Sequence, residues 1–310
     1  MRVAVTGAGG RLGRAVVAAL EDAPFAGIAG PLAWTRREFD LDAPETFGAL
    51  LDRHRPEVVV HAAAWTDVDG CARDPELALA RNGRATGRLA QECAARGIDL
   101  VCVSTNEVFD GGRTDGAGYL PGDPTRPVNA YGSSKLAGEE AAAAAFATAA
   151  SGAAAGAGGR PPQFAVVRTA WLFGPPGNDF PAKILRAAAR AREAGEPLRV
   201  VMDEYGSPTY AADVAEGIVE LLGAGDFAGT HHLVDAGVAS RAAWAREVLR
   251  QAGVEVPVED VAGSTWRRDS VPPRWGVLAQ TPLPGGEPLR DWRLALADYM
   301  PALLATLGDR

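Results

Sequence analysis

A tyrosine and a lysine stand four residues apart in "AYGSSKLAGEE", Tyr131 and Lys135. On a helix, positions i and i+4 share a face, so these two side chains meet. A phenol ordinarily titrates near pH ~10, and a neighbouring ammonium favours its ionised form while offering a hydrogen bond to a cofactor sugar. Such a pair can deliver a proton to a carbonyl oxygen as hydride reaches the carbonyl carbon. A second polar contribution lies in "VCVSTNEVFDG", where Ser104 and Thr105 close a predicted strand. A hydroxyl there can orient the carbonyl or stabilise charge on its oxygen. The residues alone leave both hydroxyls open for that role.

Hydride chemistry needs a dinucleotide, and the chain opens with "VAVTGAGGRLG". Gly7, Gly10 and Gly13 form GxxGxxG between a predicted strand and a predicted helix, with Arg11 and Leu12 inside the same turn. Glycines permit the tight turn and let a pyrophosphate approach backbone N–H groups at a helix start. At the end of the second predicted strand, "AWTRREFDLD" offers Arg36 and Arg37 where an acid would bind two free ribose hydroxyls. Positive charge there leans toward the 2′-phosphate of NADPH, with NADH left open. Asp40 and Leu41 are candidates for the adenine side. Ala62, Ala63 and Ala64 follow the third predicted strand and let a cofactor lie close to its end. Asn82 reads either as a polar support near the cofactor or as a local cap.

No metal site is expected. His54, His61, His231 and His232 lack a recognised ligand spacing, and His61 reads as a packed or pocket-wall histidine. His231 and His232 fall in a predicted strand, which sends their side chains to opposite faces.

These groups require a scaffold. Apolar runs "PLAWT", "EVVVHAA", "DLVCVST", "FAVVRTAW" and "LRVVM" alternate with helical stretches such as 72–96 and 134–149. That rhythm predicts an α/β fold: a Rossmann-like, doubly wound, mainly parallel sheet with a smaller C-terminal substrate-binding lobe. Residues 1–170 are expected to be mainly the dinucleotide-binding core. Residues 171–310 are expected to be mainly the substrate side, with segments returning to the core. The alanine-rich helix after Glu140 is expected to leave through a mobile glycine- and proline-rich surface loop.

The chain has 310 residues, 47% of them hydrophobic, which allows a substantial core. A net charge of −8 argues against a protein that works mainly by holding nucleic-acid phosphates. No segment reads as membrane-spanning, and Cys71, Cys93 and Cys102 suit a reducing compartment, so a cytoplasmic protein is expected.

In family order, "GAGGRLG", "AAAWTDVD", "STNEVFDG", "YGSSKLAGE", "VVRTAWLFG", "DEYGSPTYAADVA" and "HHLVDAG" resemble the extended short-chain dehydrogenase/reductases and, more closely, the dTDP-4-dehydrorhamnose reductase family. The resemblance covers nearly the whole chain. It implies Thr105 as the hydroxyl participant, Tyr131 as the catalytic acid, Lys135 as the ribose-binding lysine, and a dTDP-linked 4-keto-6-deoxy sugar as substrate. It also implies that Trp171 and the segment Gly206, Ser207, Pro208 and Thr209 shape the sugar-nucleotide side, next to Thr105, Asn106 and Glu107. A homodimer is compatible with it. Two departures stand out: Asn106-Glu107 replaces the Asp-Tyr of many members, and "VPPRWGVLAQT", with Arg274, matches the family only loosely. Both bear on which sugar is accepted more than on the redox chemistry.

Overall fold

The computed structural model describes residues 1–25, 30–151 and 160–308. The first half of the chain runs β1 (Val3–Thr6), α1 (Arg11–Glu21), β2 (Leu32–Trp34), α2 (Phe47–His54), β3 (Val58–His61), α3 (Val68–Arg73), α4 (Pro75–Ala78), a π-helical turn (Leu79–Arg84), α5 (Ala85–Ala95), β4 (Asp99–Thr105) and α6 (Ala130–Ser151). The second half runs β5 (Phe164–Thr169), β6 (Leu172–Phe173), α7 (Phe180–Ala194), β7 (Leu198–Val201), β8 (Tyr205–Gly206), β9 (Thr209–Tyr210), α8 (Ala211–Ala224), β10 (Gly229–His232), β11 (Ala239–Ser240), α9 (Arg241–Ala252), β12 (Val258–Val261) and α10 (Trp292–Gly308).

Six strands form one sheet in the order β10-β5-β4-β3-β1-β2, and every pairing is parallel. Strands β1, β3, β4 and β5 carry apolar residues on both faces. Val3, Val5, Val58, Val60, Val101 and Val167 point into one core with α1 and α8. Ala4, Val59, Leu100 and Cys102 point into the other with α2, α5 and α6. Alternate residues therefore serve opposite layers, which is why the strands read as unbroken apolar runs.

The chain steps from β1 outward to β2 and then back across to β3, so the strand order reverses between β1 and β3. Ligands of open α/β sheets bind in the crevice beyond the strand ends at such a reversal. The glycine turn after β1 and the three alanines after β3 both open onto it.

The expected strand "LRVVM" is β7, but it lies outside the main sheet, paired only with β12. The sixth place belongs to β10, because α8 carries the chain back and lays β10 beside β5. A second apolar cluster joins α7, β7, α9 and α10 around Phe173, Trp244, Trp292 and Tyr299. Left-handed glycines at 195, 225 and 253 end α7, α8 and α9. Asp179 starts α7 by accepting from the Ala182 N–H, and also accepts from Gly174 N–H. The predicted exit loop of the alanine-rich helix falls on 152–159, outside the described residues. No described helix is long and apolar enough to cross a membrane.

Candidate active site

A cleft of about 840 Å³ lies between the sheet's carboxyl edge and the second cluster. Its floor is the glycine turn. Gly7 has φ +67°, and a Cβ there would come within 2.8 Å of the Ala63 backbone. A Cβ on Gly13 would lie 2.1 Å from the Gly7 carbonyl oxygen, whereas Gly9 faces open space. Helix α1 begins with no side-chain cap and no acid in its first turn, leaving its N–H groups available to an anion. Gly7, Gly10, Arg11, Leu12, Gly13, Ala62, Ala63 and Ala64 all line this cleft. The open glycine cradle and the uncapped helix start therefore fit a dinucleotide's pyrophosphate. The Arg11 side chain crosses the cleft to the opposite wall, donating to Gly174 O at 3.1 Å and to Asn178 Oδ1 at 2.5 Å.

The floor is braced from beneath. Thr6 Oγ1 lies 2.8 Å from His61 Nδ1, and His61 Nε2 lies 3.1 Å from Thr86 Oγ1. Burial, helped by the Lys135 charge, pushes the His61 imidazole down to about 3, so it is a neutral packed residue. Among the described residues no group of His, Cys, Asp and Glu is placed to hold a metal ion. Asn82, inside the π-helical turn, bonds both to the Trp65 backbone and to Ser134 Oγ, tying that turn to α6.

Helix α6 brings Tyr131 and Lys135 to the cleft, and β4 ends there with Ser104 and Thr105. Gly132 allows the close approach: a Cβ on it would sit 2.0 Å from the Glu107 carbonyl oxygen. Asn129 locks the junction. Its Oδ1 accepts from Gly132 N–H, and its Nδ2 donates to Glu107 Oε2 at 2.6 Å and to Val271 O. Asn106 and Glu107 both line the cleft, and Asn106 Nδ2 donates to Gly276 O. Thr105 Oγ1 accepts from Glu107 N–H. Ser104 Oγ is buried without a partner.

Burial raises the Tyr131 phenol well above its ordinary range; the negative charges of Glu107 and Cys71 add to this, and a hydrogen bond with Thr105 opposes it. Lys135 is itself lowered by burial, an effect that Cys102 and Glu139 oppose. Burial also raises Glu107, partly offset by its bond to Asn129 and by Arg241 and Arg268.

Trp171 lines the cleft with backbone φ +42°. Its ring stacks on Trp244 at 5.6 Å between centroids, while the Arg241 guanidinium lies 3.6 Å from its own centroid. Burial lowers Arg241 to about 10, against the nearby Glu204 carboxylate. Gly206, Ser207, Pro208 and Thr209 stand behind this tryptophan instead of in the cleft wall. A Cβ on Gly206 would lie 2.5 Å from the indole, and Thr209 N–H donates to Trp171 O. The segment expected to shape the substrate side therefore lies behind Trp171, where β8 pairs with β11 and β9 with β6. Arg274 is exposed and paired with Asp203, away from the cleft.

Of the residues expected at the adenosine side, Arg36, Asp40 and Leu41 line the cleft and Arg37 does not. Among the cleft residues that escaped sequence reasoning are three basic ones, Arg81, Lys183 and Arg241. One signal was present for Lys183, because the chain has only two lysines among 31 basic residues and both lie here. Arg81 and Arg241 are two of many arginines, with nothing in their local sequence to set them apart.

Comparison with known proteins bears on this arrangement. The family model described as the RmlD substrate binding domain matches residues 1–304. A dTDP-4-dehydrorhamnose reductase of Streptomyces griseus is 36% identical over 312 residues, covering 98% of this chain and 94% of that protein. A dTDP-4-keto-6-deoxy-D-glucose reductase of Streptomyces niveus is 36% identical over 310 residues, covering 97% of each. The crystal structure of dTDP-4-dehydrorhamnose reductase from Bacillus anthracis in complex with NADP superposes with a TM-score of 0.83 at 27% identity, covering 97% of this chain and 99% of that one. The chain belongs to the RmlD-like dTDP-4-dehydrorhamnose reductase family.

Proposed function

We propose that this member of the family is an NAD(P)H-dependent reductase that converts dTDP-4-dehydro-β-L-rhamnose to dTDP-β-L-rhamnose by reducing the C4 carbonyl. The observation that carries the reading is the convergence, in one cleft, of an open glycine cradle at a helix start with Tyr131, Lys135 and Thr105. Reduced nicotinamide supplies the hydride when bound. The chain does the rest. The α1 start and its glycines hold the pyrophosphate, and Lys135 anchors the nicotinamide ribose. Thr105 donates a hydrogen bond to the C4 carbonyl oxygen. The Tyr131 phenol gives that oxygen its proton, a role suited to a group held in the protonated form by burial and by Glu107. Trp171, held by Trp244 and Arg241, offers a flat wall to the sugar nucleotide. Residues 1–170 are assigned chiefly to the coenzyme and 171–310 chiefly to the substrate. A cytoplasmic setting is part of the same reading, supported by three buried free thiols.

A second reading rests on Asn106 and Glu107, which line the cleft where many members carry Asp-Tyr. Together with the similarity to the Streptomyces niveus reductase, it makes another dTDP-4-keto-6-deoxy sugar the alternative substrate. Incubating the protein with dTDP-4-dehydro-β-L-rhamnose and reduced coenzyme separates the two. Coenzyme oxidation supports the first reading. Oxidation seen only with a different 4-keto-6-deoxy sugar nucleotide supports the second.

A further inference from the structure

The adenosine end of the cleft holds an unusual charge arrangement. Arg81, from the π-helical turn, donates through Nε and Nη2 to the two oxygens of Asp42, each at 2.6 Å. Arg36, from the loop after β2, donates to the same carboxylate at 3.3 Å and has Asp40 at 3.9 Å. The Arg81 guanidinium also lies 5.3 Å from the centroid of Trp65. Arg36, Asp42 and Arg81 all line the cleft. The paired arginine holds the Asp42 carboxyl below the usual carboxylate range, so it is ionised across the working pH range.

A planar guanidinium binds a phosphate through the same two-pronged geometry it uses for a carboxylate. At this end of the cleft, the fork of Arg81 and one donor of Arg36 are already engaged by an internal anion. We propose that Asp42 sets coenzyme selectivity: it occupies the guanidiniums that would otherwise bind the 2′-phosphate of NADPH, and so holds NADPH and NADH use close together. The proposal rests on the coenzyme reading given above. It adds Arg81 to Arg36 as a phosphate-facing cation and makes Asp42 the competitor for both. A phosphorylated ribose must displace the carboxylate to bind, whereas an unphosphorylated ribose leaves the triad intact.

The test uses the whole protein without sugar substrate and reads binding of two fragments, adenosine 2′,5′-bisphosphate and adenosine 5′-monophosphate, by calorimetry. Asp42→Asn keeps the shape and removes the charge; Asp42→Ser serves if the first variant melts early. Affinity for the bisphosphate is expected to rise about fivefold in either variant, with less than about a twofold change for the monophosphate. In turnover, the NADPH:NADH ratio of kcat/KM should rise by a similar factor. Unchanged bisphosphate affinity overturns the proposal, and so does a ratio that rises only because the monophosphate binds more weakly, since Asp42 would then be a direct ribose ligand. Failure of both fragments to bind the unaltered protein would overturn the coenzyme assignment itself.

Discussion

Tyr131 shows how a residue legible in sequence acquires its chemistry from neighbours that were not. The spacing to Lys135 was readable because helical periodicity fixes it, and Thr105 was readable through family likeness at the strand end. The polarity of the site was less so. Burial and Glu107 dominate the phenol, and both depend on how α6 meets the turn after β4. Tyr131→Phe should leave coenzyme binding within about twofold and lower single-turnover hydride transfer by about 10²- to 10⁴-fold; transfer at near-normal rate would remove Tyr131 as the proton donor. A pH profile tests the role of Glu107. Turnover needs the phenol protonated, so its alkaline limb follows the Tyr131 pKa. A negative charge at Glu107 raises that pKa. Glu107→Gln should therefore move the alkaline limb of kcat/KM to lower pH, by on the order of one unit, while Glu107→Asp should largely preserve it. An unmoved limb in E107Q would mean that Glu107 does not face the phenol electrostatically.

At the scale of elements, two junctions carry the account. The first is α6 against the turn after β4, where a methyl group on Gly132 has no room beside the Glu107 carbonyl. Gly132→Ala should tilt the start of α6 and lower turnover by about 10²-fold, because a displacement of ~1 Å at reacting groups is that damaging. Full activity in G132A would show that this contact does not position Tyr131. The second is the start of α8. Asp213 binds Arg290 with both oxygens, and the buried Asp235 accepts from Tyr210 N–H through Oδ2 while its Oδ1 has no partner. Burial, and then the neighbouring Asp213 charge, raise the Asp235 pKa. The folded state thus keeps a proton that the unfolded chain releases, and its contribution to stability is present at low pH and lost as pH rises through the raised pKa. Asp235→Asn should accordingly raise Tm at alkaline pH by a few °C (~3 °C) relative to the unaltered protein, with a smaller gain near pH 5. A gain of equal size at both ends would rule out this proton linkage.

Elements were the most legible scale. Five of the six sheet strands appear as apolar runs; both faces are covered in β1, β3, β4 and β5, while β2 lies at the sheet edge with Ala33 exposed. "LRVVM" carries the same pattern yet pairs only with β12, since an apolar run reports burial and not which sheet buries it. The segment 206–209 was expected on the substrate side, but its place behind Trp171 follows from β8 and β9 pairing, which a sequence does not display.

At the scale of the molecule, the cleft exists because two packing systems meet over the sheet's carboxyl edge. One is the doubly wound core; the other is the cluster around Trp244, Trp292 and Tyr299. Arg11 reaches from the first wall to the second, while Arg241 and Lys183 are supplied by the second. That Arg11 would span the cleft, and that Arg241 and Lys183 would line it, is decided by how the two systems dock and is not displayed by their local sequence. Hydride is expected to pass between those walls from coenzyme to C4, and isotopic labelling follows it. The purified protein would be given dTDP-4-dehydro-β-L-rhamnose and coenzyme carrying deuterium at the transferable nicotinamide position, with the product resolved and its label located. The expected product is dTDP-β-L-rhamnose with deuterium at C4, formed mole for mole with oxidised coenzyme. Unlabelled product, or conversion without net coenzyme oxidation, would contradict it.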